Sequence, residues 1–328
     1  MNDPTQRTSV WTRRSLLVAS SAMAIGASAK SVARATSAFE PGTLEPSFLE
    51  GGFIDAHVHV WPKPSDDFPL DSKYTVADVV PESFTPDAIL KLAGTENVRR
   101  VVLIQMSFFG FDNKYMLECI RKQPKQFKGV AIIDHNAPDV EGTMTRMQEQ
   151  GVRGFRLYAN AQNVAQWDQN PGIDAMFQTA AKTKQAICLL SDPEVLPAIE
   201  AMATKYPRTK IVIDHFSRIG MKGQIDQADL NKLCGLSRFK KVFVKTSAFY
   251  ALGAKQAPYT DLLPMIKQLR DAFTANRLMW GSDCPYQVQV PHNYKASFSL
   301  IGTQSPFLNE IEIKAILGRT ADEVFFQD

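Results

Sequence analysis

Phe53-Ile54-Asp55-Ala56-His57-Val58-His59-Val60-Trp61-Pro62 (FIDAHVHVWP, residues 53–62) reads as a buried β-strand that carries two imidazoles. Side chains two apart on a strand share a face, so His57 and His59 are expected to point one way while Ala56, Val58 and Val60 point the other. The residues just after the strand matter as much. An open doubly wound sheet places a Gly-rich phosphate loop after its first strand, and here the chain runs Trp61-Pro62-Lys63-Pro64 instead.

Runs of the same kind recur at Val98–Met106, Phe127–Asp134, Val152–Ala159, Gln185–Ser191, Lys210–Phe216, Lys241–Ser247 and Leu278–Asp283. Successive starts are 45, 29, 25, 33, 25, 31 and 37 residues apart, enough each time for strand, loop, helix and loop. The intervening segments 85–93, 113–123, 140–150, 172–184 and 194–206 carry apolar residues at mixed three- and four-residue spacing, as amphipathic helices do. Near-continuous apolar strands suit a parallel sheet covered on both faces. Eight such units predict a single-domain (β/α)8 TIM barrel over 53–328, with its active site at the C-terminal strand ends.

The unusual polar residues fall at those ends: His57 and His59 on the first run, His135 after the third, Arg156 and Tyr158 on the fourth, His215 on the sixth, Lys245 and Ser247 on the seventh, Asp283 on the eighth. A lone buried histidine is usually structural; three imidazoles and a carboxylate at corresponding strand ends make a site. Strand alternation groups His215 with Ile213, and Asp283 with Gly281 and Met279, on the inward face. Lys245 and Asp55 are both expected inside the barrel, where neither stays charged unpartnered, so they are expected to pair.

His-x-His on the first run, His215 in Ile213-Asp214-His215, and Asp283 in Gly281-Ser282-Asp283-Cys284-Pro285 resemble the amidohydrolase superfamily, in its second amidohydrolase-related branch. The stretches Gly151-Val152-Arg153-Gly154-Phe155-Arg156-Leu157 and Val242-Phe243-Val244-Lys245-Thr246-Ser247 are similar to its pyrone-dicarboxylate and sugar-lactone lactonases. The resemblance implies hydrolysis of a lactone of a small carboxylic acid. Two-metal members need a lysine or glutamate on strand four and a histidine on strand five; this chain has Arg156 and Ile187-Cys188-Leu189-Leu190-Ser191. That argues against a binuclear centre and leaves two readings open: no cofactor, or one zinc-like ion on His57, His59 and Asp283.

Either way Asp283 is the expected base for water, with His215 as its catalytic partner. His57 and His59 are expected to contact substrate and polarise its carbonyl. Arg156 is expected to hold a substrate carboxylate by a two-pronged bond, and Tyr158 to orient a ring oxygen. Alternatives from other classes are a metal-dependent decarboxylase of an aromatic or unsaturated acid and a non-catalytic periplasmic small-acid binder.

At the N-terminus, Arg13-Arg14 precede a short Ala/Ser-rich apolar run, predicting a twin-arginine export signal over 1–35, cleaved after Ala29 or Ala35, then a leader over 36–52. The expected location is periplasmic. Of 328 residues, the first 35 hold five basic and one acidic, which leaves 32 basic against 33 acidic in the mature chain. Near-neutrality argues against nucleic acid and against stable membrane association. A small carboxylated molecule is the expected partner because of Arg156 and what the resemblance implies. Cys119, Cys188, Cys234 and Cys284 have no metal-ligand spacing and read as isolated thiols.

Overall fold

The computed structural model describes residues 52–327. The predicted export signal lies outside them, as does all of the leader except Gly52.

Eight strands form one parallel sheet in sequence order: β1 (Phe53–Val58), β2 (Val98–Ile104), β3 (Phe127–Ala131), β4 (Val152–Ala159), β5 (Ala186–Ser191), β6 (Lys210–Ile213), β7 (Val242–Ser247) and β8 (Leu278–Gly281). The ring closes where the site lies: His59 N donates to Cys284 O at 2.9 Å, and Asp283 N donates to His57 O at 2.8 Å. Helices follow the strands as the spacing requires, among them Pro86–Gly94, Lys114–Lys122, Val140–Glu149, Pro171–Thr183 and Leu196–Lys205. The sequence marks their starts. Thr85 caps the first through Ala88 N, and Asn170 caps the fourth ahead of Pro171, whose missing N–H costs nothing there.

The core has two parts. A larger one lies between strands and helices and takes Phe53, Val58, Val101, Leu103, Phe155, Leu157, Val244 and Trp280. A smaller one fills the barrel with Ile54, Ala56, Val102, Ile104, Val130, Cys188, Val212, Phe243 and Met279. Ala321, Val324 and Phe325 of the last helix, Thr320–Phe325, belong to this inner cluster, so the C-terminus plugs the barrel.

This division corrects the reading of the first strand. Ala56 packs inside the barrel rather than against the helices. Strand β1 slips against β2 between Asp55 and Val58, where Asp55 pairs with Val101 and Val58 with Leu103. Three residues advance on one strand against two on the other, the signature of a β-bulge. The extra residue lets Ala56 and His57 both turn inward, and it aims Asp55 elsewhere: its carboxylate accepts from Ser282 N at 2.8 Å, His57 N at 3.2 Å and Tyr294 Oη at 3.0 Å. Asp55 therefore ties β1 to the segment after β8, and the expected Asp55–Lys245 pair does not form.

Candidate active site

Asp283 is the focus of the site. One of its oxygens, Oδ1, lies 3.2 Å from His59 Nε2, 3.5 Å from His57 Nε2 and 3.9 Å from His215 Nε2. The other, Oδ2, accepts from Tyr250 Oη at 2.7 Å. All three imidazoles and the carboxylate are buried. Asp283 has φ of +64°, a left-handed conformation that costs an aspartate roughly 1 kcal/mol or more and is held by the Asp283 N bond to His57 O.

His215 reaches the site by a route strand alternation does not describe. Strand β6 ends at Ile213, which packs in the outer core, and His215, Phe216, Ser217 and Arg218 all have φ between +52° and +57°. The chain turns left-handed at once, so the adjacent residues Asp214 and His215 both face the centre, where a strand would have parted them. His215 Nδ1 meets Ser247 Oγ at 2.8 Å, which fixes the ring.

Under the histidines lies an ion cluster in which Asp214, missed from the sequence, is the hub. Its carboxylate meets Arg156 Nη2 at 3.0 Å, Lys245 Nζ at 3.1 Å and His57 Nδ1 at 3.5 Å. Burial pushes its pKa up, but Lys245, His57 and Arg156 together hold it well below the usual carboxylate range. Asp283 is likewise lowered, with His215 and His59 outweighing burial. Burial, then the Lys245 charge, lowers His57 well below the ordinary imidazole value, and burial brings His215 down to about 4. At neutral pH the two carboxylates are ionised and these two rings are neutral.

Arg156 points inward from β4 as alternation requires. Its Nη2 donates to Asp214 Oδ2 and lies 3.1 Å from His57 Nε2, while Nε is buried without a hydrogen-bond partner. The flat fork expected to clamp a ligand is thus partly engaged by the protein. Tyr158 is half-buried, its ring 6.0 Å from the guanidinium carbon. His135 lies past the end of β3, half-buried, with its backbone oxygen against Gly172, and it takes no part in the Asp283 cluster. Cys284 is fully buried, in keeping with an isolated thiol. Tyr250 and Tyr286, ring centroids 6.4 Å apart and stacked, were not legible because both sit in short loop turns without periodicity.

One nitrogen from each of His57 and His59 and one Asp283 oxygen lie within 4.8 Å of one another, a donor set of the right type for zinc. His59 is even oriented as a metal-binding imidazole would be, with Nδ1 on Ile104 O at 2.9 Å. The charge argues otherwise. His57 Nε2, which would have to ligate, already faces a guanidinium that does not deprotonate. Arg156 and Lys245 balance Asp214 and Asp283, and a dication would leave two uncompensated positive charges buried among them. The residues present do not fit a divalent ion.

The family model described as amidohydrolase matches residues 54–327. The chain belongs to the amidohydrolase family. Among its relatives is the L-fucono-1,5-lactonase of Burkholderia ambifaria, 27% identical over 245 residues, which are 73% of this chain and 82% of that one. The 4-sulfomuconolactone hydrolase of Hydrogenophaga intermedia is 25% identical over 240 residues, 72% of this amidohydrolase and 75% of the relative. A probable 2-pyrone-4,6-dicarboxylic acid hydrolase from Acinetobacter baumannii, solved with citric acid bound, has the same fold, with TM-score 0.70 at 24% identity over 84% of this chain and all of that one.

Proposed function

We propose that this amidohydrolase opens the ring of a small lactone, using a water molecule activated by Asp283. The observation that carries the reading is the Asp283 carboxylate: ionised, buried, and ringed by His57, His59 and His215. Relatives that act on a fuconolactone and on a sulfomuconolactone support the choice of reaction.

Asp283 takes a proton from water as the hydroxide oxygen bonds to the lactone carbonyl carbon. The carbonyl electron pair moves onto its oxygen, where His215 and the positive potential of Arg156 stabilise it. The tetrahedral centre then collapses, the ring C–O bond breaks, and Asp283 returns the proton to the departing oxygen. The product is a hydroxy acid. His57 acts at one remove, its two nitrogens coupling Asp214 and Arg156 to the centre, and Arg156 with Tyr158 holds a carboxylate or ring oxygen of the substrate.

The test is a panel of L-fucono-1,5-lactone, 4-sulfomuconolactone and 2-pyrone-4,6-dicarboxylate, followed by acid release, with aromatic acids assayed in parallel for carbon dioxide. Ring opening that falls about 1,000-fold in Asp283→Asn is the expected result. Carbon dioxide release without ring opening would point to a decarboxylase, and tight binding without turnover to a periplasmic binder. We also propose export through the twin-arginine route, because Arg13-Arg14 precede the Ala/Ser-rich run. Replacing both arginines with lysine should then retain the protein in the cytoplasm.

A further inference from the structure

Tyr250 sits in the turn Phe249–Ala251 after β7, behind Ala248, whose φ of +56° swings the chain back over the barrel mouth. Its hydroxyl donates to Asp283 Oδ2 at 2.7 Å, while the histidines gather around Oδ1. The ring is braced on two sides, stacked with Tyr286 and with its centroid 5.9 Å from that of His292. His292 is itself fixed, its Nδ1 3.0 Å from Tyr259 Oη, which accepts from Gln287 Nε2 at 2.9 Å. The hydroxyl thus has a built position, and the atom it meets belongs to the group we take as the base.

We propose that Tyr250 is a positioning residue for hydrolysis: by holding Oδ2 of Asp283 it leaves Oδ1 as the single oxygen that takes the proton from water. This rests on the reading of Asp283 as base. A carboxylate free to turn about its Cβ–Cγ bond would present either oxygen and either lone pair, and proton transfer depends on that direction as well as on distance. The imidazoles alone do not stop the rotation, because all three approach the same oxygen. Tyr250 approaches the other and fixes the plane.

Tyr250→Phe keeps the ring between Tyr286 and His292 and removes only the donor. With the lactone of the panel that turns over fastest, kcat should fall roughly 100-fold while KM changes little. An unchanged kcat overturns the proposal, and so does a rise in KM alone, which would make the hydroxyl a substrate contact. The reading of Asp283 fails separately, if Asp283→Asn keeps its turnover. In the Asp283→Asn background, Tyr250→Phe should have no further effect; a second loss of similar size there overturns the proposal and leaves the base assignment intact. A crystal structure of Tyr250→Phe gives a readout independent of turnover: the Asp283 carboxylate should turn or occupy two orientations, and an unmoved carboxylate overturns the proposal.

Discussion

Lys245 Nζ lies 3.1 Å from Asp214 Oδ1, and both side chains are fully buried inside the barrel. The ammonium also rests over the ring of Phe325, 5.4 Å from its centroid, so the last helix covers the pair. Breaking a buried pair by removing one partner costs about 3–5 kcal/mol, since the survivor keeps its desolvation penalty. Lys245→Met should therefore lower stability by that order in a denaturant titration. Its effect should add to that of Asp55→Asn, which the structure places in a different network, and should not add to that of Asp214→Asn. Non-additivity with Asp55 would return the pairing to the one expected from the sequence.

Gly281 brings β8 close against β1. A Cβ at this position would fall 2.6 Å from His57 Cβ and 3.0 Å from His57 N. Backbone and a β-carbon cannot swing away as a flexible side chain would, so Gly281→Ala must displace His57 itself. The expected result is a loss of about 1–3 kcal/mol in stability, with a fall in kcat larger than that loss explains at temperatures where the variant stays folded. Thermal melting together with kcat measured well below the transition separates the two effects.

How far the sequence reaches can be seen at particular residues. The predicted starts of β1, β2, β3, β4, β6 and β8 coincide with the observed ones, and those of β5 and β7 differ by one residue. Ends were overrun at Val60, Met106, Asp134, Phe216 and Asp283, because residues just past a barrel strand are as buried as those within it and apolarity does not report where pairing stops. Arg156 and Lys245 were placed inward correctly since β7 and the Phe155–Ala159 stretch of β4 alternate without interruption, past a register shift at the start of β4. Ala56 and Asp55 were not, because a bulge shifts the period by one and leaves no compositional mark. Asp214 was overlooked for a related reason: the left-handed turn at His215 is built from His, Phe, Ser and Arg rather than glycine, so nothing in the residue types announces it.

Removal of metal should leave the enzyme active. Arg156 Nη2 stands 3.1 Å from His57 Nε2 and already uses the lone pair a metal would need. Dialysis against a strong chelator, checked by elemental analysis, should leave kcat/KM unchanged on the best lactone of the panel. Activity lost with the metal and restored by zinc would show instead that the guanidinium withdraws to admit an ion.

The pH dependence comes from the buried rings. Burial lowers His215 from 6.5 to about 4 and holds His57 below its ordinary value. As pH falls from about 6.5 towards 4, the unfolded chain binds protons at these two positions and the folded chain does not. Asp55, raised to about 6 by burial, works the other way and offsets part of this, so the two rings leave a net decline in stability across that window and none above it. The same shifts set the catalytic profile. An exposed imidazole would impose an acid limb near 6.5; here the limb of kcat/KM should appear close to 4, where His215 takes up its proton. Stopped assays between pH 4 and 8, with melting curves in the same buffers, check both. A limb near 6.5 that Ser247→Ala leaves in place would mean that a ring other than His215 governs turnover.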